Sequence, residues 1–261
     1  MRKEMDNFRN SAVMEGMTSI RAVLSTATAN NCRILEILYD GAKADKKEKE
    51  LRWLSHRAEE FGFSMTKADA QTLDDLCTGN SHGGIIARTL PRPIPEFTVD
   101  TTIRTDGFYV MIEGIEDPYN FGYAIRSMYA CGVDGIVLPH RNWMTAAGVV
   151  ARASAGASEL IDLYSTENGD AAADIFHAKG YTVVCAAEDT DITLQRSAIR
   201  YPVFLVIGGE RRGISASLRS KCDLAVRIDY GRNFGASLSA ASAATVLAYE
   251  ISKQNIFAGG N

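Results

Sequence analysis

The sequence predicts an α/β protein built from two domains. Apolar strand-like runs alternate with helix-like segments along the chain, which indicates successive βα units. A proline-rich segment separates two such series and holds three of the six prolines within five residues, which is typical of an extended linker. The length of 261 residues suffices for two domains at roughly 100–200 residues each. The predicted boundaries are residues 1–90, a linker over 91–105, and residues 106–261.

Composition and charge exclude several classes of protein. No apolar run reaches the ~20 residues that span a bilayer, and the charged N-terminus lacks the apolar core of a secretory signal. We therefore expect a cytoplasmic protein without a membrane partner. Five cysteines and four histidines are scattered without ligand spacing, so no metal site is expected. The net charge of −4 gives no support of its own to nucleic-acid binding, and any basic surface must be a local patch.

The first domain has the pattern of a compact α/β unit. Ile20, Val23 and Leu24 stand at helical spacing, and the charge run of the next helix is expected to face solvent. Helices are expected over 12–28, 46–61 and 68–77, and strands over 32–40, 62–67 and 83–90.

The second domain begins with a predicted strand over 107–115. Asp117 and Asn120 favour a turn and a helix start, and the helix that follows carries Arg126. Further strands are expected over 134–139, 161–164 and 181–187, with a helix over 170–179. Short connections between such units predict a mainly parallel sheet that is covered by helices on both faces.

The stretch from Val203 to Glu250 holds two glycine-bearing loops that each follow a strand. Strands are expected over 203–207 and 224–228, glycine loops over 208–215 and 229–235, and a helix over 236–251. Loops of this kind bring backbone groups to the carboxyl edge of a sheet, where α/β proteins bind ligands. Neither a GxGxxG fingerprint nor a P-loop is present. Ordinary turn and helix-cap glycines are the alternative interpretation.

Three motifs of the second domain resemble those of a known family. The segment DPYNFGYAIRSMYACG is similar to a helix start with Asn120, Gly122 and Arg126 on its key positions. VIGGERRGIS is similar to a second motif, with Glu210 as its carboxylate, and RIDYGRNFGASLSAASAATVLAYE to a third. In this order, with the interposed VVARASAGASEL, they resemble the SpoU branch of the SPOUT superfamily of RNA methyltransferases.

This resemblance implies the fold and the cofactor. The second domain would be a SPOUT α/β domain with a C-terminal deep trefoil knot, and S-adenosyl-L-methionine would bind in the knot. The cofactor-binding residues carried over are Gly208, Gly209, Ile228, Ser237 and Leu238. The first domain more loosely resembles the RNA substrate-binding domain that often precedes this catalytic domain.

The resemblance also implies methylation of a ribose 2′-hydroxyl in structured RNA, either rRNA or tRNA. The catalytic residues carried over are Arg126, Asn120, Glu210, Ser237 and Ser239. A guanidinium is always protonated, so we interpret the arginine as a fixed cation beside the 2′-oxygen rather than as a base. A homodimer is expected, because such domains usually pair through helices that flank the cofactor site.

The sequence departs from the family pattern at two positions of the third motif. Ser239 stands where the family has asparagine, Asp229 replaces a proline, and the loop before Ser237 is one residue longer. Ser239 favours the rival hypothesis of a catalytically silent knotted RNA-binding protein, whereas the retained Asn120, Arg126 and Glu210 argue against it. A doubly wound protein that binds flavin or nucleotide, with chance motif matches, is a second rival.

Overall fold

The chain divides into two compact units. A computed structural model describes residues 11–26, 32–78, 82–90, 92–140, 146–209, 213–233 and 235–257. One unit contains residues 1–93 and 142–160, and the other contains residues 94–141 and 161–261. This division differs from the predicted boundaries, because 94–105 groups with the second unit and 142–160 with the first. Among the described residues, no helix has the length and apolar character that crossing a bilayer requires.

The first unit is built on a mixed sheet with the strand order β1-β4-β2-β3. Its strands are β1 (Ala12–Glu15), β2 (Arg33–Asp40), β3 (Ser64–Ala68) and β4 (Ile85–Leu90). Its helices are α1 (Gly16–Ser25), α2 (Glu48–Phe61), α3 (Ala70–Leu76), α5 (Ala147–Ala153) and α6 (Ala157–Leu160). Strands β2 and β3 run parallel, and β4 is antiparallel to both of its neighbours.

The predicted helix over 12–28 is wrong in its first turn. Residues 12–15 form β1 instead, because they pair with β4 in the register Met14 to Ala87. Gly16 has a φ of 78°, a left-handed value that glycine adopts without strain, and it turns the chain from strand into helix. A tertiary partner therefore overrides the local helical pattern at this end.

The second unit is built on a parallel sheet with the strand order β10-β8-β9-β5-β6-β7. The strands are β5 (Phe108–Ile112), β6 (Gly135–Pro139), β7 (Asp162–Thr166), β8 (Thr182–Ala186), β9 (Val203–Ile207) and β10 (Leu224–Val226). The helices are α4 (Pro118–Ala130), α7 (Gly169–Ala178), α8 (Ala216–Ser220) and α9 (Ala240–Ser252). The predicted parallel α/β sheet is confirmed.

An aromatic cluster packs α7 on one face of this sheet. Phe176 stacks on Phe204 with ring centroids 4.0 Å apart, and Phe97 stacks on Phe176 at 4.7 Å. Phe97 is buried, although it lies in the segment predicted as a linker, because its ring packs against this aromatic cluster. The central strands are buried on both faces, and α4 and α9 pack against each other over the same unit.

The predicted helix over 236–251 begins four residues later, at Ala240. Ser239 is its N-cap, and the Ser239 hydroxyl accepts a hydrogen bond from the backbone N–H of Ser242 at 3.2 Å. Residues 236–239 therefore remain in the loop that precedes the helix, and the first three of them line a cavity.

Candidate active site

A cavity of about 960 Å³ lies where three loops of the second unit meet. The loops follow β8, β9 and β10, which are neighbours at one side of the parallel sheet. Parallel strands end at the same edge of a sheet, and ligands of open α/β sheets bind outside that carboxyl edge. The volume lies within the range of small-molecule sites, roughly 300–1,000 Å³.

The five residues predicted to bind a cofactor all line this cavity. Gly208 and Gly209 come from the loop after β9, whereas Ile228, Ser237 and Leu238 come from the loop after β10. The structure thus brings together two motifs that are separated by about twenty residues in the chain.

Close packing of the backbone accounts for both glycines after β9. A Cβ on Gly208 would lie 2.6 Å from the carbonyl carbon of Gly213, and a Cβ on Gly209 would lie 2.5 Å from the carbonyl oxygen of Glu113. Gly209 and Gly213 also form a β-bridge. Any side chain at either glycine would therefore displace backbone from the wall of the cavity.

Two side-chain contacts tie the cavity loops together. The Ser237 hydroxyl donates to Oε1 of Glu188 at 2.6 Å, which links the loop after β8 to the loop before α9. The Tyr230 hydroxyl accepts the backbone N–H of Leu238 at 3.2 Å. Glu188 is not among the predicted site residues; its position directly after a predicted buried strand is the only signal for it in the sequence.

The charged lining of the cavity is acidic overall among the described residues. Glu188, Asp189 and Asp229 contribute three carboxylates to the lining, and Arg219 and Arg227 contribute two guanidiniums. Nε of Arg227 lies 3.3 Å from Oδ1 of Asp229, so the charges of these two residues largely cancel each other. The cavity therefore suits a ligand with a positive charge.

Two cysteines lie beside the cavity. Cys185 is buried on β8, and Cys222 is half-buried after α8. A side-chain hydrogen bond with Cys185, together with burial, raises the pKa of the Cys222 thiol. Cys222 therefore stays protonated near neutral pH and is not poised as a nucleophile.

The family model that describes the SpoU rRNA Methylase family matches residues 107–249. This range covers more than half of the chain and includes the motifs described above, except for Glu250 at the end of the third. The chain belongs to this family. The predicted SpoU resemblance and the predicted enzyme class, an RNA methyltransferase, are confirmed.

Similar proteins extend over almost the whole chain. A 23S rRNA (guanosine-2′-O-)-methyltransferase, RlmB, of Shewanella oneidensis is 27% identical over 245 residues, which cover 93% of this chain and 97% of that protein. A solved structure of an RNA 2′-O ribose methyltransferase matches with a TM-score of 0.77 and 19% identity. The match covers 97% of this chain and 92% of the solved chain. The SpoU methyltransferase AviRb of Streptomyces viridochromogenes, solved with AdoMet, has a TM-score of 0.76 at 20% identity and the same coverage.

The first SpoU motif builds the start of α4. Oδ1 of Asp117 accepts the backbone N–H groups of Tyr119 and Asn120 at 2.7 and 2.9 Å, and Pro118 occupies the first helical position. Arg126 is exposed on the same helix. Neither Asn120 nor Arg126 is among the described residues that line the cavity of their own chain.

The remaining two catalytic predictions have different outcomes. Ser239, at the SpoU asparagine position, caps α9 and is not among the described cavity residues. Glu210 lies outside the described residues, which resume at Gly213. Of the predicted catalytic residues that are described, only Ser237 therefore lines the cavity.

Proposed function

We propose that this chain transfers a methyl group from S-adenosyl-L-methionine to the 2′-hydroxyl of a ribose in structured RNA, either rRNA or tRNA. The observation that carries the proposal is the single cavity into which the second and third SpoU motifs project. The RlmB relative, whose name gives a guanosine 2′-O-methylation of 23S rRNA, supports the same reaction type.

The cavity fits S-adenosyl-L-methionine. Its walls combine backbone from Gly208 and Gly209 with the apolar side chains of Ile228 and Leu238, which suits an adenine ring and a methionine chain. Its excess of carboxylates suits a sulfonium cation. When bound, the cofactor supplies a methyl group on positively charged sulfur. AviRb, a SpoU protein of similar fold, is described with this cofactor.

Arg126 acts as a fixed cation beside the 2′-oxygen and the neighbouring phosphate. Its guanidinium donates hydrogen bonds in a planar fork, stays protonated, and stabilises negative charge as the hydroxyl loses its proton. Asn120 and Glu210 hold the arginine or the ribose, and Ser237 contacts the reacting hydroxyl. The exposed position of Arg126 leaves its guanidinium accessible to RNA.

A second copy of the chain completes the site. Tyr123 and Tyr129 on α4 and Val246 and Tyr249 on α9 are large apolar side chains with 36–55% of their surface exposed. Such a face is characteristic of a protein interface. Arg126 lies three residues from each of the two α4 tyrosines, and so on this face of the helix. Dimerisation through α4 and α9 would bring Arg126 to the cavity of the partner subunit.

The C-terminal part of the second unit forms a trefoil knot. In the loop over 187–202, the carbonyl of Ile192 accepts the backbone N–H of Arg227, a residue that precedes α9, at 2.9 Å. The backbone N–H of Ile199 in the same loop donates to Oε1 of Gln254, a residue that follows α9, at 3.0 Å. Contacts on both sides of α9 support a chain that passes through this loop.

The first unit binds the RNA substrate. The match to RlmB covers 93% of this chain, and therefore includes most of the first unit as well as the methylase unit. A mixed sheet covered by helices gives this unit a core of its own, so it can present a binding surface independently of the cavity.

A catalytically silent RNA-binding protein is the second candidate, because Ser239 replaces the SpoU asparagine. The capping role of Ser239 weighs against it, since serine and asparagine cap helices about equally well. Calorimetry with S-adenosyl-L-methionine separates the two candidates, because the silent protein need not bind the cofactor.

Incubation of the purified protein with methyl-labelled cofactor and total RNA from cells that lack the protein tests the proposal. We expect label on one ribose 2′-oxygen, which mapping of methylated nucleotides in cells with and without the protein would identify. Label on a base, or no transfer to RNA, would overturn the proposed reaction.

A further inference from the structure

The Ser237 hydroxyl has only one proton, and in this structure that proton is directed at Glu188. The Oγ to Oε1 distance of 2.6 Å is typical of a hydrogen bond to an ionised carboxylate. A carboxylate can only accept, so the direction of this bond is certain when Glu188 is ionised. Within the described part of the chain no group donates to Ser237 Oγ, so its lone pairs can accept a proton from a ligand.

Methyl transfer to a ribose hydroxyl requires an acceptor for the hydroxyl proton. The guanidinium of Arg126 is always protonated and has no acceptor atom, so it cannot take this proton. The hydroxyl becomes more acidic as its oxygen shares a lone pair with the methyl carbon, and loss of the proton in the same step keeps positive charge from building up on the oxygen. A carboxylate with an ordinary basicity is consequently a sufficient acceptor late in the reaction.

Among the carboxylates of the described cavity residues, Glu188 is the one best placed to receive the hydroxyl proton. Asp229 is already paired with a guanidinium, because its Oδ1 lies 3.3 Å from Nε of Arg227. Asp189 forms no hydrogen bond to a hydroxyl within the described part of the chain, whereas Glu188 is bonded to a serine of the third SpoU motif. Both Glu188 and Ser237 are exposed, so RNA can reach the serine and water can reach the carboxylate.

We propose that Ser237 and Glu188 form a proton relay that deprotonates the RNA 2′-hydroxyl, an inference that rests on the proposed function. The 2′-oxygen forms a bond to the methyl carbon, and the bond from that carbon to sulfur breaks with its electron pair left on sulfur. The 2′-hydroxyl proton moves to Ser237 Oγ while the serine proton moves to Glu188. Exposed Glu188 then releases the proton to water.

In this relay Ser237 is a catalytic residue, because it contacts the reacting hydroxyl, and Glu188 is a positioning residue that also receives the proton. The division of roles differs from that of Arg126, which stabilises charge but exchanges no proton. Removal of the carboxylate should therefore slow the reaction while leaving unchanged the binding of S-adenosylhomocysteine, whose sulfur carries no charge.

Four variants test the relay: Glu188→Gln, Ser237→Ala, the double variant, and Glu188→Ala. Glu167→Gln is the matched control, because Glu167 is also an exposed glutamate and follows β7, the last strand at the other side of the sheet. The rate of a single turnover is measured with labelled cofactor and total RNA from cells lacking the protein. Calorimetric titration with S-adenosylhomocysteine measures, independently of activity, whether the cavity is intact.

We expect Glu188→Gln to slow transfer about 100-fold, the lower end of a general-base contribution. Affinity for S-adenosylhomocysteine should equal that of the wild type, and Glu167→Gln should transfer at the wild-type rate. The double variant should be no slower than Ser237→Ala, because residues that act as one unit are not additive. Added formate, a small carboxylate, should restore part of the rate of Glu188→Ala.

A wild-type rate for Glu188→Gln would overturn the relay and leave the proposed function standing. A double variant whose loss of rate equals the product of the two single losses would also overturn the relay. So would a loss of S-adenosylhomocysteine affinity in Glu188→Gln as large as its loss of rate. If the wild type itself transfers no methyl group to RNA, the proposed function fails and the relay fails with it.

Discussion

Ser239 shows how one residue can serve both the stability of a helix and the pattern of a motif. Its hydroxyl accepts the backbone N–H of Ser242 and so satisfies one of the unpaired groups at the start of α9. Asparagine, the residue of the SpoU motif, caps helices as well as serine does. The departure from the motif therefore preserves the local structure, whatever its effect on catalysis.

Replacement of Ser239 separates these two roles. We expect Ser239→Ala to lower the free energy of unfolding by about 1 kcal/mol, because the cap is lost, and Ser239→Asn to leave it unchanged. Urea denaturation of the two variants measures the difference. Equal stability of Ser239→Ala and the wild type would show that the cap contributes nothing to α9.

The glycine loop after β9 is the element most constrained by packing. Its backbone passes so close to Gly114 and Gly213 that neither Gly208 nor Gly209 has room for a Cβ. The same loop forms one wall of the cavity, so cofactor binding and stability depend on the same close approach.

Gly209→Ala is expected to destabilise the protein by about 1–3 kcal/mol, the usual cost of overpacking, and to weaken cofactor binding. Gly231→Ala is the matched control, because a Cβ there meets no atom within 4 Å. Its effect should stay within about 0.5 kcal/mol. Thermal unfolding and calorimetric titration with S-adenosyl-L-methionine check both. Equal behaviour of the two variants would show that the loop adapts freely.

The elements of the second unit can be predicted well from the sequence, because buried parallel strands are short apolar runs that local patterns reveal. The helical pattern over residues 12–15 is misleading, because these residues form a strand by pairing with β4, and the helical pattern before α9 starts four residues earlier than the helix. Glu188 was missed because its contact with Ser237 joins positions 49 residues apart. Such contacts follow from the tertiary fold, and periodicity within a segment does not reveal them.

At the scale of the whole molecule, the proposed dimer would bury the exposed apolar side chains of α4 and α9. Tyr249 is 55% exposed there, and a charge introduced at this position would be buried by a partner subunit. We expect Tyr249→Asp to be monomeric by analytical ultracentrifugation. Val99→Asp is the control, because Val99 is also exposed but lies outside α4 and α9. A Tyr249→Asp protein that sediments as the wild type does would exclude this face as the interface.

Complementation between subunits tests whether Arg126 acts on the partner. Arg126→Ala should abolish methyl transfer but bind S-adenosyl-L-methionine normally, because Arg126 is not among the described residues of its own cavity. A mixed dimer with Gly209→Ala, which keeps Arg126 but binds the cofactor poorly, should regain activity in one of its two sites. If the mixtures are no more active than the separate variants, Arg126 acts on the cavity of its own subunit.

The proposed reaction requires the cavity between the loops after β8, β9 and β10 to hold the methyl donor. A crystal structure with S-adenosylhomocysteine tests it most directly. We predict the ligand between Gly208, Ile228 and Leu238, with its sulfur directed toward Ser237. Binding at another place, or a cavity that stays empty at saturating ligand, would contradict the account.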